Sequence, residues 1–323
     1  MEAGKKIPLV IIAGPTAAGK TAVAVRLAKH LDGEVVSADS MQIYRYMDIG
    51  TAKPCAAERE GIPHHLVDIV EPEEEFSAAM FQKLARQAIK DIYERGKLPI
   101  LAGGTGFFID AVIYNYDFSF AGADKELRKF LQREAEEKGN AAVHERLRRV
   151  DPEAAERIHV NDLKRIIRAL EIYQQTGRAG ALLRKKNKEK YHCYDTLFFG
   201  LYYKRELLYR RIEERVDKMI EEGLVEEVKR LMNAGYHTGL VSMQGLGYKE
   251  IAGFLQGKYS LDEAIAILKR NTRRFAKRQL TWFKRYSSIK WIDMEKHNAI
   301  DYILSVTASF TAKYFPGKIN KEK

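Results

Sequence analysis

The sequence predicts an α/β fold in which helices flank a parallel sheet and an all-helical domain is inserted into the chain. Three observations lead to this prediction. Ile7–Ala13 is a continuous apolar run, as in strands that are buried on both faces. A glycine-containing turn follows, and then a segment with helical periodicity. Residues 124–177 are dense in charge and contain several helical stretches without a convincing strand.

The turn after the first strand fits the pattern of a glycine, four further residues and then Gly-Lys-Thr. Its residues are Gly14, Pro15, Thr16, Ala17, Ala18, Gly19, Lys20 and Thr21. Because a strand precedes this turn and a helix over Thr21–Leu31 follows, it is interpreted as a phosphate-binding P-loop in a P-loop NTPase-like sheet. Its amides and the helix N-terminus would bind phosphate or diphosphate. Lys20 would contribute a positive charge, and the Thr21 hydroxyl a ligand for Mg²⁺.

The remaining strands of the sheet are predicted from further short apolar runs. These runs are Glu34–Asp39, Leu66–Val70, Leu98–Ala102, Thr196–Tyr203 and an edge strand at Ile289–Ile292. Asp39 ends the second strand and Gly103–Gly106 follows the fourth. Since ligands bind beyond the carboxyl ends of parallel strands, we expect both to lie beside the P-loop. A long amphipathic helix is predicted over Phe76–Arg95.

The inserted domain is predicted to cover residues 119–191, between the two parts of a catalytic core at 1–118 and 192–323. Four helical stretches are expected in it, over 125–138, 141–150, 152–159 and 162–176. A basic connection, Arg178–Lys190, leads back to the core.

The C-terminal part is predicted to consist of basic helices. Two helices between Arg205 and Asn233 break near Gly223, and a capping box of Ser260 and Glu263 begins another that runs to about Tyr286. The cations of this last helix are Lys269, Arg270, Arg273, Arg274, Lys277, Arg278, Lys284 and Arg285. Few acids accompany them, and the net charge of the chain is +11. Both observations favour a nucleic-acid partner.

Composition and length exclude several other classes of protein. The chain has 323 residues, 46% of them hydrophobic, and no apolar run approaches the ~18 residues of a membrane span. The first strand begins so early that no signal peptide is expected. Cys55 and Cys193 lack a paired spacing for zinc or for a disulfide framework. We therefore expect a cytoplasmic monomer that does not contact membranes.

Four motifs together resemble the tRNA dimethylallyltransferase (tRNA isopentenyltransferase) family. They are the P-loop, residues 37–44 with Asp48-Ile49-Gly50-Thr51-Ala52-Lys53-Pro54, Gly103–Gly106, and Lys277-Arg278-Gln279-Leu280-Thr281-Trp282-Phe283. The resemblance extends to Tyr286, and because no zinc finger is recognised, a bacterial-type member is expected. It implies transfer of a dimethylallyl group from dimethylallyl diphosphate to N6 of the adenosine immediately 3′ of the anticodon (A37) in tRNA. The products would be N6-dimethylallyladenosine and diphosphate, with Mg²⁺ as the cofactor.

The resemblance also implies roles for individual residues of the site. Asp39 would be the general base that takes the proton of N6, and Thr105 would lie against the reactive adenosine. Lys20 would stabilise the departing diphosphate, which Arg211 could also reach. The residues themselves leave two alternatives open: Asp39 could only orient Mg²⁺ or cap a helix, and Thr105 could be an ordinary helix N-cap.

Contacts with tRNA are expected from three parts of the chain. The resemblance assigns them to the segment after the second strand and to the start of the Asp162–Thr176 helix, and basic or polar residues of the insertion and the C-terminal helix are added. The predicted tRNA-binding residues are Asp39, Ser40, Met41, Gln42, Thr105, Arg128, Lys164, Arg165, Arg168, Arg274, Arg278 and Gln279.

Three other functions are compatible with a P-loop. A kinase or ATPase would turn over a nucleoside triphosphate, although the Leu98–Ala102 strand ends in glycines where such enzymes often have an acid. An isopentenyltransferase acting on free adenine nucleotides would not need the helical insertion or the basic helix. An RNA-binding protein with an inactive P-loop would not need Lys20, Thr21 and Asp39 to be intact.

Overall fold

The computed structural model describes residues 6–114, 116, 118, 124–177 and 194–316, and these residues contain one six-stranded sheet. The strands are β1 Ile7–Ala13, β2 Gly33–Ser37, β3 His64–His65, β4 Leu98–Gly103, β5 Tyr194–Tyr202 and β6 Lys290–Asp293. The helices are α1 Lys20–Leu31, α2 Ala56–Arg59, α3 Ala78–Glu94, α4 Gly106–Ile113, α5 Lys125–Lys138, α6 Asn140–Val150, α7 Pro152–Arg157, α8 Leu163–Thr176, α9 Arg205–Glu221, α10 Leu224–Asn233, α11 Tyr248–Leu255, α12 Leu261–Phe283 and α13 Ala299–Thr311.

The strands of the sheet lie in the order β3-β2-β4-β1-β5-β6, and every neighbouring pair is parallel. Val10 of β1 lies opposite Ile100 of β4 on one side and Leu197 of β5 on the other. All residues of β1 are buried, as expected for a parallel sheet whose faces are both covered. The predicted P-loop NTPase-like α/β fold is confirmed. Since the strands are parallel, the carboxyl ends of β1, β2 and β4 meet at one edge.

The predicted strand at Leu66–Val70 is wrong. β3 contains only His64–His65, which pair with Val35 and Val36 of β2. Leu66 and Asp68 have left-handed backbone conformations, with φ angles of 62° and 57°. Such residues cannot continue an extended strand, so the chain turns away from the sheet directly after β3.

Helix start signals in the sequence correspond to observed caps. α3 begins after Ser77, whose Oγ accepts the N–H of Met80 at 3.2 Å. α12 begins with the predicted capping box, in which Ser260 and Glu263 each accept the backbone N–H of the other. A cap of this kind satisfies first-turn amides that have no partner within the helix.

The chain divides into two compact units, Met1–Ile113 with Tyr191–Lys323, and Tyr114–Lys190. The second unit contains α5–α8 and has a hydrophobic core of its own. That core includes Leu131, Val143, Leu147, Ala154, Ile158, Ile166 and Ile167. The unit is close in extent to the predicted insertion, whose role in tRNA binding stays a prediction. Arg178–Lys190 and Cys193 lie outside the described residues.

Across the described ranges, no helix combines the length and the apolar character needed to cross a membrane.

Candidate active site

The P-loop turns sharply against the end of β5 and then opens into α1. Gly14 has a φ angle of 150°, and a Cβ there would lie 2.5 Å from the carbonyl oxygen of Leu201. Only glycine fits this close approach. Ala17 and Gly19 also have positive φ angles, of 61° and 82°. Such turns direct successive amides toward a common concavity, and the first-turn amides of α1 add to its preference for anions.

Lys20 is the first residue of α1, and its Nζ donates to the carbonyl oxygen of Pro15 at 2.7 Å. Burial, and then the positive charge of Arg215, lower the pKa of Lys20 to about 8, whereas Asp39 acts to raise it. Charged groups of the P-loop, of the turn after β2 and of α9 therefore influence one another electrostatically. An anion bound in the loop would favour the protonated form of Lys20.

Asp39 lies two residues beyond β2, in a turn that its own side chain stabilises. Oδ1 of Asp39 accepts the N–H of Met41 at 2.9 Å. The chain after β4 packs against this turn, because the N–H of Thr105 donates to the carbonyl oxygen of Ala38 at 3.1 Å. The sheet edge thus holds Asp39 beside the glycine-rich segment Gly103–Gly106, as the sequence predicted.

Thr105 connects the segment after β4 to the Asp39 turn through its side chain. Its Oγ1 accepts the N–H of Ser40 at 3.0 Å, and its hydroxyl donates to Oγ of Ser40 at 3.2 Å. The side chain is therefore directed at the Asp39 turn. Its proposed contact with adenosine stays a prediction.

Gln279 of α12 requires a correction, because the sequence analysis assigned it to tRNA. The residue is only 6% exposed and joins two loops of the site. Its Oε1 accepts the N–H of Thr16 at 2.9 Å, and its Nε2 donates to the carbonyl oxygen of Gly104 at 2.9 Å. A Cβ on Gly104 would lie 2.3 Å from this Nε2. Gln279 therefore positions the P-loop against the segment after β4, and its buried amide is already used inside the protein.

Arg211 and Arg215 lie one helical turn apart on α9 and both reach the site. Nε of Arg211 donates to the carbonyl oxygen of Ala17 at 3.0 Å, and its guanidinium lies 4.6 Å from the ring centre of Tyr203. This places Arg211 beside the P-loop, and its predicted contact with diphosphate stays a prediction. The sequence analysis missed Arg215. Burial lowers the pKa of Arg215, and Asp39 acts to raise it. Arg215 could have been predicted from its position four residues after Arg211, since residues with this spacing lie on the same face of a helix.

The segment from Asp48 to Pro54 is an ordered loop tied to the Asp39 turn. The amide of Gln42 is the connection: its Oε1 accepts from Oγ of Ser37 at 3.1 Å, and its Nε2 donates to the carbonyl oxygens of Thr51 and Ala52 at 3.4 and 3.2 Å. The side-chain amide of Gln42 is thereby bonded inside the protein through both its oxygen and its nitrogen, and its contact with tRNA stays a prediction.

The loop is also fixed by the buried ammonium of Lys53, whose side chain is 4% exposed. Nζ of Lys53 donates to the carbonyl oxygen of Tyr44 at 2.9 Å and contacts the carboxylates of Asp48 and Asp68, each at 2.5 Å. A buried charge of this kind is stable only when it is paired, so the lysine of this motif has a structural role.

In the helical unit, two of the predicted tRNA-binding arginines hold a buried carboxylate. Arg128 contacts both oxygens of Glu171 at 2.9 Å, and Arg168 contacts one of them at 2.6 Å. Burial acts to raise the pKa of Glu171, but the hydrogen bonds from these arginines hold it below its usual value. Arg165 lies 3.4 Å from Asp162, and Lys164 is exposed. All four retain exposed surface, so their contact with tRNA stays a prediction.

The cations of α12 are less free than the sequence suggested. Lys269 pairs with Asp217 of α9 at 2.6 Å, and Arg273 pairs with Glu213. Arg285 lies 3.4 Å from the carboxylate of Asp110. Each acid lies 52 to 175 residues before the cation that it pairs with, so the local composition around α12 did not reveal these pairs. The exposed cations of this helix and the residue after it include Arg270, Arg274, Lys277, Arg278 and Lys284.

Comparisons with known proteins show the family to which the chain belongs. The family model for IPP transferase matches residues 42–286. A protein named tRNA dimethylallyltransferase from Alkaliphilus oremlandii is 53% identical over 313 residues, which are 97% of this chain and 98% of that protein. Another of the same name, from Carboxydothermus hydrogenoformans, is 54% identical over 90% of this chain and 93% of its own length.

Two solved structures extend the comparison. The tRNA isopentenylpyrophosphate transferase from Bacillus halodurans has a TM-score of 0.71 and 46% identity, over 97% of this chain and 98% of the other. A eukaryotic dimethylallyltransferase described as acting on tRNA has a TM-score of 0.81 and 31% identity, over 95% of this chain and 79% of the other. The similarity to the protein from Alkaliphilus oremlandii extends over the P-loop and α12. The chain belongs to the IPP transferase family.

Proposed function

We propose that the chain transfers a dimethylallyl group from dimethylallyl diphosphate to N6 of A37 in tRNA, the adenosine immediately 3′ of the anticodon. The similarity to proteins named tRNA dimethylallyltransferase covers nearly the full length of both chains. One observation carries the chemistry: at one edge of the sheet, Gln279 bonds the P-loop to the segment after β4, and that segment bonds to the Asp39 turn. This edge therefore combines a group able to take a proton with groups able to bind a departing anion.

On the nucleophile side, Asp39 is the proposed general base. The lone pair of an exocyclic adenine amine is delocalised into the ring, so N6 attacks more readily if its proton is removed as the new bond forms. The bond from N6 to the allylic carbon forms while the bond from that carbon to the diphosphate oxygen breaks. The proton of N6 passes to the carboxylate of Asp39. A base of this kind contributes ~10²–10⁴-fold.

On the leaving-group side, diphosphate gains negative charge as the allylic C–O bond breaks. Lys20 and the amides of the P-loop are the proposed stabilising groups, and Arg211 would join them from α9. Lys20 is held next to the loop by its contact with Pro15, and Arg211 by its contact with Ala17. Cations that are already in place need no reorganisation during the reaction.

Thr21 is the proposed protein ligand for Mg²⁺. It follows Lys20 in the first turn of α1 and is partly exposed there. A neutral hydroxyl oxygen suits Mg²⁺, which prefers oxygen ligands and usually retains waters and substrate phosphate oxygens. When bound, the ion would neutralise part of the diphosphate charge.

On the RNA side, the target base must leave its stack to reach Asp39. Thr105 is the proposed contact for the adenosine, and the helical unit and the exposed cations of α12 are proposed to hold the anticodon stem. We further propose that the enzyme acts as a cytoplasmic monomer.

The experiment is to incubate the protein with labelled dimethylallyl diphosphate, Mg²⁺ and either bulk tRNA, AMP or ATP. The proposal predicts label in tRNA only. Label in AMP or ATP would contradict it and indicate an enzyme of free nucleotides, and turnover of ATP alone would indicate a kinase or ATPase. Asp39→Asn is the matched variant, because asparagine can still accept the Met41 N–H but cannot take a proton. It should lose ~10²–10⁴-fold in rate while tRNA affinity is retained.

A further inference from the structure

Glu227 is a buried carboxylate on which four hydrogen-bond donors converge. The residue is 2% exposed and lies in the first turn of α10. Its Oε2 accepts the N–H groups of Asp48 at 3.1 Å and Ile49 at 2.9 Å. Its Oε1 accepts the N–H of Gly50 at 3.2 Å and the hydroxyl of Tyr248 at 2.7 Å. Three consecutive backbone amides of the loop after the Asp39 turn thus depend on one side chain that lies 177 to 179 residues further along the chain.

Electrostatics make this arrangement rigid. A carboxylate removed from water is costly unless its oxygens are hydrogen-bonded, so displacing the loop would leave a buried charge without its donors. The N-terminal position in α10 also favours a negative charge. The ring of Tyr248 packs so closely on Gly50 that a Cβ at this position would lie 2.6 Å from the ring. The loop therefore cannot move toward Tyr248. These contacts together hold the loop in the position that it has in the structure.

The loop in turn supports the segment that carries Asp39. The carbonyl oxygens of Thr51 and Ala52 accept from Nε2 of Gln42, which is three residues from Asp39 in the same turn. The ammonium of Lys53 adds a second connection, to the carbonyl oxygen of Tyr44. A chain of direct contacts thus leads from Glu227 through the Asp48–Ala52 loop to the Asp39 turn.

We propose that Glu227 is a positioning residue for the transfer reaction, acting through the Asp48–Ala52 loop on the placement of Asp39. This inference rests on the proposed function, since it takes Asp39 as the group that must be placed. Glu227 does not itself touch the reacting atoms. A displacement of about 1 Å at a catalytic group costs on the order of 100-fold in rate, so a small loop shift is sufficient.

The central test is Glu227→Gln. The amide of glutamine has one accepting oxygen, so its NH₂ group must face either the Asp48 and Ile49 amides or the Gly50 amide. We expect kcat for transfer to tRNA to fall by about tenfold to a hundredfold. The KM for dimethylallyl diphosphate should stay close to the wild-type value, because the P-loop has no bond to Glu227 among the described contacts. A wild-type kcat in Glu227→Gln would overturn the proposal.

Glu34→Gln is the matched control. Glu34 is also 2% exposed and hydrogen-bonded, to Arg95 and His65, but it lies at the start of β2, away from Asp39. We expect it to lower the melting temperature and to leave kcat unchanged at temperatures well below melting. If both variants lower kcat in proportion to their loss of stability, Glu227 is only a structural residue and the proposal fails.

A second variant covers the case in which Glu227→Gln does not fold. Tyr248→Phe removes one of the four donors and keeps the ring that packs on Gly50. It should lower kcat several-fold without changing the KM for dimethylallyl diphosphate. An unchanged kcat in a folded Tyr248→Phe protein would also count against the proposal.

Hydrogen exchange distinguishes failure of this inference from failure of the proposed function. In Glu227→Gln or Tyr248→Phe, the amides of residues 48–50 and of the Asp39–Tyr44 segment should exchange faster than in the wild type. Wild-type protein that does not label tRNA would refute the proposed function, while exchange would still report on the contact chain. Unchanged exchange over Asp39–Tyr44 would overturn the positioning role, whatever the activity.

Discussion

Lys20 has a pKa that brings its charge change close to neutral pH. In the ligand-free protein, burial and Arg215 lower the pKa of this ammonium from 10.5 to about 8. Its charge is therefore present below about pH 8 and lost above it, whereas a free lysine would remain charged to about pH 10. A site that binds diphosphate through Lys20 should lose affinity over this interval.

We predict that the KM for dimethylallyl diphosphate rises as the pH increases through about 8. The measurement is KM from about pH 7 to about pH 9.5 for the wild type and Lys20→Arg, since arginine stays charged throughout. The arginine variant should show a flatter profile, even if its KM is higher overall. Identical profiles for the two proteins would mean that Lys20 does not control the pH dependence.

Individual residues differ in how far the sequence predicts their roles. Lys20 and Thr21 belong to a local motif, and Asp39 follows a strand whose position the apolar pattern indicates. Glu227 and Gln279 act on loops that are distant in sequence; Gln279 bonds to residues 175 and 263 positions away. No local pattern encodes such contacts, which is why Gln279 was assigned to RNA and Glu227 was missed.

At the level of elements, α12 combines two faces with different tasks. Its buried face includes Thr272, Ala276 and Gln279, and Gln279 joins the P-loop to the segment after β4. Its exposed surface carries cations such as Arg274 and Lys277. Substitutions on the two faces should therefore affect different substrates.

Gln279→Leu should raise the KM for dimethylallyl diphosphate several-fold and leave tRNA affinity at fixed salt near the wild-type value. Leucine keeps a similar volume but removes both hydrogen bonds, so the Thr16 amide and the Gly104 carbonyl lose their partner at a cost of about 1–3 kcal/mol. Steady-state kinetics and filter binding of tRNA provide the two values. Weaker tRNA binding with an unchanged KM would instead favour direct contact of Gln279 with RNA.

Substituting Arg274 and Lys277 together by glutamine should reduce the salt dependence of tRNA binding. Each phosphate contact contributes a slope of roughly 0.7–0.9 in log affinity against log salt. The matched control is Lys269→Gln, since Lys269 already pairs with Asp217. A slope that is the same in all three proteins would show that this surface does not contact the RNA backbone.

Helices and strands were predicted best where the apolar periodicity is long or where a capping motif marks the start of a helix. α3, α8 and α12 show helical periodicity over three or more turns, and the capping box of α12 is observed as predicted. β3 was misplaced because a short apolar run cannot be distinguished from a buried loop by periodicity alone. Left-handed conformations at Leu66 and Asp68 decided that case, and leucine gives no sign of such a conformation in the sequence.

At the scale of the whole molecule, the helical unit has its own hydrophobic core, separate from that of the sheet. We predict that removing residues 121–190, with a short linker in their place, leaves a folded sheet that binds dimethylallyl diphosphate but no longer modifies tRNA. Closing the chain there has a modest entropic cost. Circular dichroism, thermal melting and the transfer assay are the measurements. A folded deletion variant that modifies tRNA at the wild-type rate would exclude the unit from RNA binding.

The fold and the position of the site could be predicted because both follow from local rules. A buried strand, a glycine turn and a helix specify a P-loop, and parallel strands bring their carboxyl ends to one edge. The chemical purpose of the site could not be predicted from these rules alone. It required the resemblance of four separated motifs, which no single element contains.

The most direct test of the account is the identity of the labelled nucleoside in tRNA. The wild-type enzyme is incubated with labelled dimethylallyl diphosphate and two anticodon stem-loops, one with adenosine and one with guanosine immediately 3′ of the anticodon. Guanine has an oxygen at C6 in place of the amine, so it cannot accept the group at that position. The account predicts label in the adenosine stem-loop, recovered as N6-dimethylallyladenosine after digestion, and none in the guanosine stem-loop. Equal labelling of both, or label on another nucleoside, would contradict it.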